Sequence, residues 1–123
     1  AVLLSIEQCK YLTSLAHQLG MEVALKLYTI EEIDYLECDV DLIIINNRIA
    51  CSFDMDVNKS FKFAKLLPND CIKVSEGGIY TPEKAKELSD VGFQGIIIGD
   101  LFMKTANPGY ALGEFIKGIE KEN

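Results

Sequence analysis

Val74-Ser75-Glu76-Gly77-Gly78-Ile79-Tyr80-Thr81-Pro82-Glu83 compresses a strand end, a glycine turn and a helix start into ten consecutive residues. Ile72 to Val74 close an apolar strand. Gly77 and Gly78 let the backbone turn tightly and approach a ligand with no Cβ in the way, and Thr81-Pro82-Glu83 supplies an N-cap, a first-turn proline and an early carboxylate. A strand running through glycines into a helix is how parallel α/β folds build anion sites, because the backbone amides can face a phosphate.

The flanking sequence repeats the same alternation. Residues 2–4 read as a short apolar strand. Residues 6–19 read as a helix with Leu12, Leu15, Ala16 and Leu19 at helical spacing, stopped by Gly20. Residues 21–28 return as a strand in which Val23, Leu25 and Leu27 alternate with Ala24, Lys26 and Tyr28. Thr29 then caps a helix holding Glu31 and Glu32 in its first turn. Residues 41–46 form a buried strand that ends in Asn46-Asn47-Arg48, and polar residues at the end of so apolar a strand mark a functional edge. Asp56 or Asn58 caps a helix through Leu67, and Pro68-Asn69-Asp70 is a turn. Beyond the quoted stretch come a helix over 82–91 with Gly92 at C′, a buried strand over 95–99, a short helical turn over 100–104 and a closing amphipathic helix over 108–120.

The count is about five strands, each followed by helix, in a single domain over residues 1–123. Continuous apolar strands in strict alternation with helices mean parallel strands joined by right-handed crossovers. Two architectures fit: an open flavodoxin-like sheet, or part of an eight-stranded (β/α) barrel. Both gather the site at the carboxyl ends of the strands. Lys26, Asn46, Arg48, Glu76 to Gly78, Gly99 and Asp100 are therefore expected on one rim.

Composition narrows the function classes. A formal charge of −7 argues against nucleic acid and against an anionic membrane as the main partner, since both call for a basic face. Cys9, Cys38, Cys51 and Cys71 lie far apart with no Cys/His ligand spacing, so neither a zinc site nor a redox pair is expected, and a reducing cytoplasm suits them. No apolar run approaches the ~20 residues of a membrane span. The chain opens directly into an apolar segment with nothing before it, which reads as an internal point of a longer protein. His17 is expected on the solvent side of its helix, and Met21, Met55 and Met103 read as packing at element boundaries.

The ordered set Leu19-Gly-Met-Glu22, Ile45-Asn-Asn-Arg48 with Phe53 and Asp56 downstream, Val74 to Ile79, Thr81-Pro-Glu83, Val91-Gly92, Ile98-Gly99, Leu101, Met103 and Asn107-Pro-Gly109 resembles indole-3-glycerol-phosphate synthase. The resemblance covers nearly the whole chain and runs from that family's fourth strand to its last helix. It implies the C-terminal portion of a (β/α)8 TIM barrel in tryptophan biosynthesis. The implied chemistry is ring closure and decarboxylation of 1-(2-carboxyphenylamino)-1-deoxyribulose 5-phosphate by a carbon-carbon lyase, with no metal or organic cofactor. Glu76 and Asn46 then stand at catalytic positions and Asn46 and Arg48 at substrate-binding ones. Gly77, Gly78, Gly99 and the backbone of Asp100 match the phosphate cradle. The implied partners are the sugar-phosphate substrate and, for this stretch of chain, the absent N-terminal half-barrel or a second copy.

The sequence also departs from that pattern. Lys26 stands where family members usually carry a catalytic glutamate, and Gly77 where they usually carry a serine. Asp100 adjoins the expected phosphate. Two unit charges about 5 Å apart at an effective dielectric of about 20 repel by roughly 3 kcal/mol, so its carboxylate is expected to point away. The family's general-acid lysine, a second active-site lysine and another glutamate belong to strands outside this chain. A non-catalytic half-barrel or a paralogue that binds phosphate or a partner chain is the alternative reading.

Overall fold

A computed structural model describes residues 3–121. Four parallel strands, β1 (Ala24–Leu27), β2 (Leu42–Asn46), β3 (Ile72–Glu76) and β4 (Gly95–Ile97), pair in the order of the sequence. The helices are α1 (Ile6–Gln18), a 3₁₀ helix (Ile30–Glu37), α2 (Asn58–Ala64), α3 (Pro82–Asp90), the single turn α4 (Asp100–Met103) and α5 (Pro108–Lys121). The fifth strand expected over residues 2–4 is not found: Val2 lies outside the described residues, and Leu3 and Leu4 form a turn and a bend. Leu3 is almost wholly exposed and the Leu4 carbonyl accepts a hydrogen bond from the Tyr35 hydroxyl, so this segment is held by a helix side chain rather than by the sheet.

Sequential order settles which parallel architecture this is. Right-handed crossovers that always step in the same direction leave every helix on one face, whereas a flavodoxin-like sheet reverses direction and covers both. Burial follows suit: Leu25, Leu27, Ile43, Ile45 and Ser75 are buried, while their alternating neighbours Lys26, Ile44, Asn46, Val74 and Glu76 are only half-buried. The fold is a partial (β/α) barrel wall, with its helices outside and its inner face open.

The core lies between this wall and the helices. Leu27, Ile45, Phe63 and Leu88 have no exposed surface, and each such side chain contributes about 1.5–3 kcal/mol by leaving water. Local signals fix most helix boundaries. Ser5 accepts from the Gln8 amide at 3.1 Å while its own amide donates to Gln8 Oε1 at 2.9 Å, a reciprocal cap on α1. Glu32 Oε1 accepts from the Tyr28 and Thr29 amides, both at 2.9 Å, at the start of the 3₁₀ helix, and Thr81 Oγ1 accepts from the Lys84 amide at 3.2 Å at the start of α3. Gly20 and Gly92 end their helices with φ of +78° and +108°, a region that side chains with a Cβ avoid.

Helix α1 is rotated from its expected orientation. It buries Cys9 and Thr13, and leaves Leu12, Leu15 and Leu19 exposed at 46%, 39% and 67%. Cys9, Thr13 and Ala16 make a second stripe at equally good helical spacing, and it is this stripe that turns toward the 3₁₀ helix and Cys38. His17 keeps about one-third of its side chain exposed, as expected for the solvent side, and its Nε2 lies 2.8 Å from Asp41 Oδ2. Asp41 Oδ2 also accepts from the Val23 amide at 2.6 Å, so this carboxylate joins the end of α1 to the corner before β2. The Val23 amide first, then the imidazole, hold the Asp41 carboxyl below its ordinary range.

Candidate functional site

In-register pairing brings the chemistry-bearing residues together. Asn46 is paired with Glu76, and Glu76 with Ile97, so the ends of three neighbouring strands present side chains on the open face. Lys26 reaches across from β1: its Nζ lies 2.9 Å from Glu76 Oε2 and 3.3 Å from Oε1. Asn46 Nδ2 stands 3.5 Å from Glu76 Oε2, while Asn46 Oδ1 accepts from the Arg48 amide at 2.9 Å. Glu76 is thus the hub, with an ammonium and an amide directed at it from two other strands.

Immediately beyond Glu76 the chain enters the glycine turn. Gly77 and Gly78 have φ of +94° and +72°, so both occupy the left-handed region where glycine is favoured. Together with Gly99, Asp100 and Leu101 at the end of β4 and start of α4, they line a cavity of about 260 Å³ to which Glu76 and Met55 also contribute. Asp100 is exposed and opens the single turn α4. Expected on one rim, Lys26, Asn46, Glu76, Gly77, Gly78, Gly99 and Asp100 form one continuous surface.

Arg48 sits apart from that cluster. Its Nε donates to the Ser52 carbonyl at 2.6 Å and its guanidinium stacks over the Phe53 ring at 5.0 Å. The segment it belongs to is a loop closed by an antiparallel bridge between Arg48 and Met55, with Cys51 in the left-handed region at φ +58° near its tip. Beside the loop, Arg48, Lys59, Tyr28 and Thr29 contribute to a separate cavity of about 220 Å³. Lys59 Nζ donates to the Arg48 carbonyl at 2.5 Å, and burial holds its pKa below the ordinary lysine range.

Two features of the site were not anticipated from sequence. Met55 lies directly against the glycine turn: a Cβ on Gly77 would meet its sulfur at 2.8 Å, and one on Gly78 would meet its Cβ at 3.1 Å. A serine at position 77 would have to displace this flexible thioether and adopt the left-handed backbone at φ +94° that a Cβ disfavours. The second is a buried polar cluster of Asn47, Ser60 and Ser75 behind the turn, with none of the three exposed. A polar residue on the helix-facing side of a strand, as at Ser75, was the available signal for it. At the amino ends of the strands a wider groove of about 620 Å³ is lined by Lys10, His17, Glu37 and Asp39, where Lys10 pairs with Glu37 at 3.1 Å and His17 with Asp41 at 2.8 Å.

The profile of the family described as "Indole-3-glycerol phosphate synthase" matches residues 1–115. This chain belongs to that family. The indole-3-glycerol phosphate synthase of Bacteroides thetaiotaomicron is 45% identical over 120 residues, covering 98% of this chain and 46% of its own length. Those of Caldanaerobacter subterraneus subsp. tengcongensis and Lachnoclostridium phytofermentans are 35% and 33% identical, covering 92% and 85% of this chain and 44% and 39% of their own lengths. The chain therefore spans less than half the length of these synthases. Among solved structures, the "Native KDPGal structure" superposes with a TM-score of 0.63 at 20% identity, covering 96% of this chain and 53% of that one. The Amycolatopsis orientalis BexX/CysO complex superposes with a TM-score of 0.65 at 12% identity, covering 94% and 47%. These likenesses concern the fold alone. Among the described residues, no helix is long and apolar enough to cross a membrane.

Proposed function

We propose that this chain is the C-terminal portion of a (β/α)8 barrel acting as an indole-3-glycerol phosphate synthase, a cytoplasmic carbon-carbon lyase. The reaction forms a bond between the carboxyl-bearing aromatic carbon and the substrate's ketone carbon, releases carbon dioxide, and loses the resulting hydroxyl as water. The observation that carries this reading is the adjacency of Glu76, with its Lys26 and Asn46 donors, to the glycine-lined cavity. The phosphate binds in that cavity against the backbone of Gly77, Gly78, Gly99 and Asp100, where amides without a Cβ in front of them can approach an anion closely. Asn46 orients the reacting end of the substrate, and Glu76 accepts the proton released as dehydration completes. Arg48 binds the substrate carboxylate after leaving its stack on Phe53. Lys26, at a position where the family usually has glutamate, holds Glu76 in place and supplies a positive charge to the substrate carboxylate.

Remaining acid and base groups come from the half-barrel that precedes this stretch, which covers the open face and both sheet edges. Steady-state assay of the full-length gene product with the anilino-ribulose phosphate tests the proposal. Indole-glycerol phosphate above background is the expected result, and none above background rejects catalysis. The Lys26–Glu76 pair at 2.9 Å favours a second reading, because it engages a catalytic carboxylate with a cation foreign to the family pattern: a half-barrel or paralogue that binds phosphate or a partner chain without turnover. Calorimetric titration with inorganic phosphate separates the two. Binding abolished by Gly78→Asp, with no turnover in the parent, supports the second.

A further inference from the structure

Asn47, Ser60 and Ser75 come from three elements, the residue after β2, helix α2 and strand β3, and meet with no solvent exposure. Asn47 Nδ2 donates to Ser75 Oγ at 2.9 Å and to the Gly77 carbonyl at 2.9 Å. Ser60 Oγ donates to Asn47 Oδ1 at 2.7 Å, and the two serine oxygens lie 2.7 Å apart. Counting protons fixes the direction of every bond. Ser60 has one hydrogen and spends it on Asn47, so Ser75 must donate to Ser60, and Asn47 donates to Ser75. Turning the Asn47 amide over would set two carbonyl oxygens face to face at Gly77, so the ring runs one way only.

The Asn47 backbone is equally committed, its amide donating to the Glu76 carbonyl at 2.9 Å and its carbonyl accepting from the Asp56 amide at 2.7 Å. One bond leaves the ring, from Asn47 Nδ2 to the Gly77 carbonyl. In a trans peptide the carbonyl and the following N–H point in opposite directions, and the described residues contain no cis bond. A Gly77 carbonyl drawn back into the buried ring therefore turns the Gly78 N–H outward, to the side of the cavity that Gly78 lines. Among the described residues that N–H has no protein acceptor.

We propose that Asn47, Ser60 and Ser75 are positioning residues, a one-way hydrogen-bond ring that aims the Gly78 amide at the bound phosphate. The proposal rests on the phosphate reading of the cavity given above. Its test uses the full-length gene product and two measurements: affinity for inorganic phosphate, and protection of the Gly78 amide from hydrogen exchange at saturating phosphate. Ser60→Ala opens the ring while leaving Gly77 and Gly78 untouched; Asn47→Asp removes both donors but risks misfolding, so Ser60→Ala carries the weight. The control is Phe63→Leu, which loosens the same helix from the core without touching the ring.

Ser60→Ala is expected to weaken phosphate binding by roughly tenfold and to lose the protection that saturating phosphate gives the Gly78 amide, while Phe63→Leu lowers stability with affinity held within about twofold. Ser75→Ala added to Ser60→Ala should cost little more, since one broken link already opens the ring. Unchanged phosphate affinity or undiminished Gly78 protection in Ser60→Ala overturns the proposal, as does an equal loss of affinity in Phe63→Leu. If the parent binds no phosphate, the cavity reading fails by itself. The aiming of the Gly78 amide at a phosphate is then overturned with it, whereas binding in the parent that Ser60→Ala leaves intact overturns the ring alone.

Discussion

The two faces of the sheet are built from the same strands and have opposite characters. On the helix side Leu27, Ile45 and Ser75 have no exposed surface, and Leu25 and Ile43 nearly none. On the other side Lys26, Ile44, Asn46 and Glu76 alternate with them, half-buried, and carry the ion pair and amide contact of the site. Because side chains along a strand point alternately to opposite faces, the chain can place stability and chemistry on adjacent residues with little conflict. At the glycine turn the two layers meet, through the bond from Asn47 Nδ2 to the Gly77 carbonyl.

The sharpest way to break this division is to hollow out the helix side. Phe63→Ala is expected to cost about 3–5 kcal/mol in urea unfolding, against roughly 1–2 kcal/mol for Ile44→Ala on the open face of the 123-residue chain. Equal costs would mean the open face is as well packed as the core. Next in size is the converse change. Glu76→Gln should lower turnover of the full-length protein by about a hundredfold or more, yet shift the unfolding free energy of the 123-residue chain by no more than about 1 kcal/mol, since the Lys26 pair is partly solvated there. A large stability loss without a kinetic one would make Glu76 a structural residue.

Gly118→Ala probes the helix layer itself. A Cβ there would lie 2.5 Å from Pro82 Cγ and 2.9 Å from Pro82 Cβ, where α5 meets the first turn of α3. Overpacking against a rigid ring outweighs the better helix propensity of alanine, for a net loss of about 1 kcal/mol by thermal unfolding; a gain would show that α5 can slide away. The smallest effect is expected at Asp41. Its folded-state pKa is depressed, so its contribution is present above the unfolded value of about 3.9 and is lost as pH falls through the folded value. The difference in unfolding midpoint between the parent and Asp41→Asn should therefore be greatest near neutral pH and close on acidification.

Much of this was legible in the residues because the signals are local. Thr81-Pro82 started α3, Gly92 ended it, and Leu42 to Ile45 gave a strand by composition alone. Two expectations failed for non-local reasons. Residues 2–4 have strand composition, but a strand needs a neighbour to bond to, and Leu4 is instead held by Tyr35, 31 residues away. In α1 two apolar stripes were available, and which one faces inward depends on where the 3₁₀ helix packs rather than on periodicity. Within the candidate site, Glu76 and the glycines were readable from motif and turn chemistry. Met55 was not, because its contact with Gly77 spans 22 residues and arises only once the loop from Arg48 closes back on the strand end.

That loop has a practical use. Cys51 is exposed near its tip, whereas Cys9 and Cys38 are buried, and burial raises the pKa of Cys71 and pushes that of Cys38 up to about 11. A thiol reagent at neutral pH should find Cys51 first. A fluorophore attached there would sit on the same short loop as Arg48 and Met55. Its emission would test the proposed release of Arg48 from Phe53 on ligand binding: a change on adding ligand supports it, and constant emission at saturation rejects it.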